Sequence, residues 1–347
     1  MLRFACLSLL LAGCKDKPAP NALTDPCAKV RQHSGREELV CTVDLIDEPL
    51  AALLSKRPDR DEVQLLFTTT DPFKLASAAR VAWVRSVLIY PEQGSASADL
   101  RQLHSLRGLR SLNVRSALVR EVEDAWAFPE LTTLYAVESG TVELTGAPRT
   151  LRDLSVGPVI DDLRPLAALT SLEQLELPGK HHQLAGLSSL VRLESLSIVV
   201  SEKAELTPFS QLTALRELSI RGASLPALAA ATEELPHLTR LFLDGDDQAV
   251  DTKALGRLRQ LQLLDFGSLP VTDLAPLQAL PALKELSLWN AKVKDLEVLL
   301  AFPALGRVML PKDTPDAVRT ELRRQRPTWF LSFSGTSAAA RGSTGRR

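Results

Sequence analysis

Apolar residues recur along the chain in a fixed figure of three: one apolar position, two open ones, a second apolar position, one open, and a third. The stretch LTSLEQLEL shows it most plainly, with Leu172, Leu175 and Leu177. The same slots are filled at Val84/Val87/Ile89, Leu109/Leu112/Val114, Leu131/Leu134/Ala136, Leu151/Leu154/Val156, Leu193/Leu196/Ile198 and Leu215/Leu218/Ile220. They continue at Leu238/Leu241/Leu243, Leu261/Leu264/Phe266, Leu283/Leu286/Leu288 and Leu305/Val308/Leu310. These are eleven rungs, whose first slots lie 25, 22, 20, 21, 21, 22, 23, 23, 22 and 22 residues apart. The last two slots of each rung alternate with open positions as in a half-buried strand. One rung alone cannot bury its apolar face, whereas stacked rungs share a core. Each fully buried leucine then contributes roughly 2 kcal/mol before chain entropy is subtracted. Between rungs, DLRPL, ELTPF and DLAPL place Pro165, Pro208 and Pro276 where a short helical turn begins and a missing N–H costs nothing. The pattern predicts parallel strands on one face and short helical or irregular turns on the other.

This figure resembles the leucine-rich repeat family, in its short bacterial form with repeats of about 22 residues, over residues 84–311. The resemblance implies an α/β repeat fold. In that fold a leucine-rich-repeat solenoid carries a curved parallel sheet on one face, short helices, 3-10 turns and loops on the other, and a cap at each end. The family usually carries Asn three residues after the third slot, where its side chain bonds neighbouring backbone. Here that position holds Ala117, Ser139, Val159, Lys180, Ser201, Ala223, Asp246, Leu269 and Ala291, so the asparagine ladder is absent.

The repeat domain is expected over residues 81–311, flanked by an amino-terminal cap at 27–80 and a carboxyl-terminal cap at 312–333. In the first cap, ELVCTVDLI alternates like a strand, DEPLAALLSK opens on Asp47 and Pro49 as a helix does, and EVQLLF is another strand. Val63 lies 21 residues before Val84, where a degenerate rung would start. In the second cap, Thr314 is the expected N-cap, Pro315 the first helical position, and Trp329 to Phe333 a closing strand. Residues 334–347, small, polar and basic, are expected to be a disordered tail.

At the amino terminus, MLRFACLSLLLAGCK sets Arg3 before an apolar run too short to span a bilayer, as a secretion signal does. Its end, Leu11 to Cys14, resembles the lipobox of bacterial lipoproteins. That resemblance implies a signal peptide at 1–13, cleavage before Cys14, lipid on its sulfur, acylation of the new amino terminus, and a lipidated tether over 14–26. Several acyl chains hold a protein firmly to a membrane, each buried CH₂ contributing roughly 0.8 kcal/mol. The expected location is the bacterial cell envelope. Lys15 after the cysteine would signal outer-membrane sorting in enteric lipoproteins, on the periplasmic or the surface face. Of four cysteines, Cys6 leaves with the signal and Cys14 takes the lipid. Cys27 and Cys41 remain, as a disulfide worth about 3 kcal/mol in the chain-entropy model or as two free thiols.

Forty-one basic and 42 acidic side chains leave a net charge of −1, which argues against nucleic acid as a partner. The adjacent His181 and His182 follow the Gly179 turn and read as loop residues, with no ligand set at metal spacing around them. No nucleophile elbow, phosphate-binding Gly-rich loop or His-Glu-x-x-His motif occurs, so neither an enzyme nor a cofactor or metal is expected. The informative surface is the strand face, onto which the open positions of each rung project. Tyr90, Arg115, Tyr135, Gln174, Glu176, Glu217, Arg240, Phe242, Asp265, Glu285 and Trp289 are the candidate partner-binding residues. Large aromatics beside arginine make the usual anchors of protein interfaces. The sequence thus describes a lipid-anchored scaffold binding another protein through a concave strand face. An architectural, self-associating envelope protein is the alternative, and a hydrolase with a convergent site a lesser one.

Overall fold

The computed structural model describes residues 26–31, 37–91, 97–115, 119, 121–137, 142–157, 160, 162–233, 235–245, 252–293 and 295–333. Cys14, the signal peptide, the basic tail, and Ala117, Ser139, Val159 and Asp246 lie outside the described residues. The chain forms two compact units, residues 1–140 and 141–347.

In the first unit, β1 (Cys27–Arg31) runs antiparallel to β2 (Glu37–Val43). From β2 onward each strand lies parallel to the next: β3 (Val63–Phe67), β4 (Ser86–Ile89), β5 (Ser111–Val114) and β6 (Thr133–Ala136). Register aligns the second slot of every rung, so Cys41, Leu65, Val87, Leu112 and Leu134 form one line, each 0% exposed. The stack therefore reaches two strands upstream of the first full rung. Cys41 fills a leucine slot at its end and is disulfide-bonded to Cys27 on the antiparallel strand. Helix α1 (Glu48–Ser55) follows β2 with Asp47 as N-cap, its Oδ1 accepting the Leu50 N–H at 2.9 Å. Helix α2 (Pro72–Ala76) follows β3 with Asp71 in the same role toward Lys74 at 3.0 Å.

The second unit repeats the scheme through β7 (Asp153–Val156), β8 (Gln174–His181), β9 (Ser195–Val200), β10 (Glu217–Arg221), β11 (Arg240–Asp244), β12 (Leu263–Asp265), β13 (Glu285–Ser287), β14 (Arg307–Leu310) and β15 (Phe330–Phe333), each parallel to its neighbour. Leu154, Leu175, Leu196, Leu218, Leu241, Leu264, Leu286 and Val308 line up as its core, none more than 2% exposed. Leu331 takes the same register beside Val308. The returns are mostly 3-10 turns, with Pro165, Pro208 and Pro276 in the first turn. Before three of them an aspartate receives the backbone N–H two residues on: Asp162 from Arg164, Asp273 from Ala275 and Asp295 from Glu297, at 2.8–2.9 Å. The following Leu163, Leu274 and Leu296 are buried. The recurring Asp-Leu pair is thus a cap and an anchor in two residues. Helix α3 (Leu225–Thr232) replaces the 3-10 turn once, and helix α4 (Asp316–Gln325) precedes β15.

Four expectations need correction. His181 is not a loop residue: after a bulge between Leu177 and Lys180 the strand resumes, and Lys180 and His181 pair with Val199 and Val200. The bulge adds two residues and so keeps the alternation of Leu175 and Leu177, which leaves His181 on the core side at 5% exposure. Thr314 does not cap α4; it is buried, its hydroxyl bonds the Pro311 carbonyl at 2.7 Å, and Pro315 holds the N-cap position. Leu88, expected to point outward, is 5% exposed beside Leu66 at 6%, so the first unit's strand face has an apolar floor. In the second unit, Ser155, also expected to point outward, is fully covered and donates to Glu176 at 2.8 Å.

Where the asparagine ladder is missing, backbone and short polar side chains replace it. Leu269 N–H bonds Phe266 O at 2.9 Å and Ala291 N–H bonds Leu288 O at 3.0 Å. One position earlier, the Ser268 hydroxyl bonds the Asp244 carboxylate and Gly245 O, and Asn290 Nδ2 reaches Ser268 O at 3.5 Å. Gly267 has φ +52° in this turn, and a Cβ there would lie 2.4 Å from Leu243 O, so glycine is required twice over.

Candidate protein-binding face

In the second unit, register sets two rows of side chains side by side across the strands. One runs Glu217, Arg240, Leu263, Glu285, Arg307, Phe330; the next runs Ser219, Phe242, Asp265, Ser287, Met309, Ser332. Alternation along each strand puts both rows on the face away from the leucine core.

The first row is organised by charge. Arg240 meets Glu217 at 2.5 Å, and Arg307 meets Glu285 at 3.5 Å. The Arg307 guanidinium also lies 4.9 Å from the centre of the Phe330 ring. These pairs are partly or largely solvent-exposed and add little stability, but they place two guanidinium groups beside carboxylates on this face. Phe330 is 53% exposed, and Phe242 and Met309 are half-buried. Trp289 follows β13 on the strand-exit side and is 49% exposed. Asp265 spends one oxygen on the Gly267 N–H at 2.9 Å, which fixes its carboxylate. Asp244 bonds Arg221, Ser268 and the Gly245 N–H; burial alone would raise its carboxyl, but Ser268 and Arg221 together outweigh it and hold it below its usual value.

Of the sequence-predicted residues, Glu217, Arg240, Phe242, Asp265 and Glu285 thus occupy adjacent positions. Gln174 and Glu176 lie on β8; Ser195 of β9 stands between Gln174 and Glu217, and Ser197 and Ser219 stand between Glu176 and Phe242. Tyr90, Arg115 and Tyr135 belong to the first unit. Arg115 Nε donates to Asn113 Oδ1 at 3.2 Å, and burial pushes its guanidinium below its ordinary value while the Tyr135 and Tyr90 phenols act the other way. An arginine so placed is still a cation at neutral pH.

Phe330 and Arg307 were not among the expected residues. The signal was present: Leu331 stands 23 residues after Val308, at the repeat's own step. Thr328 occupies the place of the first apolar slot, however, which hides the rung and leaves Phe330 looking like part of a cap.

Among the described residues no three His, Cys, Asp or Glu side chains are grouped as metal ligands, and no helix is long and apolar enough to cross a membrane. An internalin from Listeria monocytogenes is similar in structure, with a TM-score of 0.57 at 18% identity, over 89% of this chain and 85% of that one. A leucine-rich-repeat protein of Leptospira interrogans is similar with a TM-score of 0.53 at 14% identity, over 84% of this chain and 93% of that one. By sequence, no family model and no curated protein matches the chain. At these identities the likeness shows the fold alone: the chain is a leucine-rich-repeat solenoid.

Proposed function

We propose that this chain is a lipid-anchored envelope scaffold that binds another protein through the strand face of its second unit. The observation that carries the reading is the double row from Glu217 to Phe330, where exposed aromatics stand among arginines already held in place by neighbouring carboxylates. A face built on a packed stack loses little side-chain entropy when a partner docks, so its area is converted into affinity more fully. Aromatic and arginine anchors of this kind each carry about 2 kcal/mol or more when truncated. Cys14 supplies the anchor in this reading, and Lys15 favours the outer membrane.

The test is affinity capture from envelope extract with the soluble domain, followed by binding measurements on the captured protein. Phe242→Ala, Trp289→Ala and Phe330→Ala are each expected to weaken binding by about thirty-fold, the equivalent of about 2 kcal/mol. Unchanged capture by the triple variant would turn the reading toward an architectural, self-associating protein. Cys14→Ala is expected to move the chain out of the membrane fraction, and a variant that stays there sinks the anchor.

A further inference from the structure

Phe73 is 78% exposed, the most of any large apolar side chain among the described residues. It sits in the first turn of α2, after the exposed Pro72. Leu45, 40% exposed, lies in the segment that leaves β2, the neighbouring strand. The two segments are laced together: Lys74 Nζ meets Asp44 at 2.6 Å, and Ile46 N–H donates to Ser77 Oγ at 2.9 Å. The parallel strands β2 and β3 therefore deliver Leu45, Pro72 and Phe73 to one corner of the first unit, at the strand-exit edge.

The chain comes into the fold at that same corner. β1 runs antiparallel to β2, with Cys27 opposite Cys41, and Pro26 O accepts the Thr42 N–H at 3.1 Å. Followed backward from Cys27, the chain points the way β2 is heading, toward Asp44 and Leu45. Only twelve steps separate Pro26 from Cys14. Such a segment spans at most about 40 Å fully extended and about 20 Å as a flexible coil.

We infer that this corner is a second membrane contact, in which Phe73, Pro72 and Leu45 bed into the headgroup region of the bilayer that holds the acylated Cys14. The inference rests on the lipidation proposed above. A tether this short, leaving from the apolar corner, keeps the corner at a high local concentration of lipid, where a side chain too weak to bind alone is retained. The charges at its rim choose the lipid. Asp47 and Asp71 are helix caps at the rim, Glu48 is exposed beside them, and Lys74 offsets Asp44. The rim is net acidic, so the occupant is a zwitterionic surface such as phosphatidylethanolamine, and anionic lipid weakens the contact.

The test uses the acylated chain, reconstituted into phosphatidylethanolamine–phosphatidylcholine vesicles with acyl chains brominated near the headgroup. Phe73→Trp is compared with Glu62→Trp, which marks the opposite, strand-starting edge of the same rung. The expected result is a blue shift and a loss of emission for Trp at 73 beyond that of the four native tryptophans, reversed by adding phosphatidylglycerol. Trp at 62 is expected to keep the emission of a water-exposed side chain. Leu45→Trp provides an independent second probe and should follow the pattern of position 73. Acylated protein in which positions 73 and 45 behave like 62 overturns the corner contact and leaves the anchor standing. A shift that follows protein concentration instead of bromination assigns the corner to a second copy of the chain and also overturns it. Mature protein without acyl mass on Cys14 overturns both readings together.

Discussion

His181 ends β8 with its ring inside the stack, and its Nε2 has no hydrogen-bond partner. Burial is the larger cause, and the neighbouring His182 the smaller, that pulls its pKa below the usual 6.5. A base held neutral in the fold but free to protonate when unfolded makes stability depend on pH. The unfolded chain takes the proton more readily, so the stabilisation is whole above about pH 6.5 and falls as the medium becomes more acid. His181→Leu keeps the ring's volume roughly filled and removes the proton site. Urea midpoints of this variant should change less between pH 7 and pH 5 than those of the parent; an identical slope in both would assign the acid sensitivity to other groups. Nothing in the residue types betrays this position. The bulge adds two residues, Pro178 and Gly179, so alternation counted through Leu175, Leu177 and Gly179 keeps His181 on the core face; it is the Pro-Gly pair that reads as a turn into a loop.

At the scale of elements, the amino-terminal end of the stack depends on one covalent link. Cys41 fills a leucine slot with 0% exposure, and the bond to Cys27 pins β1 across the open edge of β2. Closing a loop with a separation of 14 residues should contribute about 3 kcal/mol. Cys27→Ala is expected to cost that amount in denaturant titration, and adding Cys41→Val little more, because valine suits the apolar slot. A large further loss from Cys41→Val would mean that the thiol packs as no hydrocarbon can. The eleven rungs, α1 with its Asp47 cap, and the strands at 37–43 and 63–67 were legible because each repeats a spacing or opens on a strong capping signal. What escaped were the substitutions that keep a role and change its chemistry. Ser268 and Asn290 take over from the family's asparagine one residue early, and Leu331 continues the stack although Thr328 breaks its figure. The candidate face was legible column by column. The ion pairs that arrange it were not, because Glu217 with Arg240, and Glu285 with Arg307, are neighbours only once the register is known.

At the scale of the molecule, stacked rungs contact only their neighbours, so stability and binding should be separable along the chain. Residues 172–192 make one full repeat, whose removal joins Ser171 to Leu193 and sets Leu154 beside Leu196 in place of Leu175. The junction brings Ser155 against Ser197, both small, and discards the bulge and the unpartnered His181. The shortened chain is expected to unfold cooperatively, with a denaturant dependence reduced in proportion to the surface lost. Taking out only the first half of that stretch would leave an incomplete rung between Leu151 and Leu193, and should cost more stability than removing the whole repeat. The row from Glu217 to Phe330 lies wholly downstream, while Gln174 and Glu176 are removed with the rung. Partner affinity within about threefold of the parent, a change of less than about 1 kcal/mol, would place recognition on the downstream rows. A folded deletion that no longer binds would move it to β8 and make Gln174 and Glu176 the anchors instead.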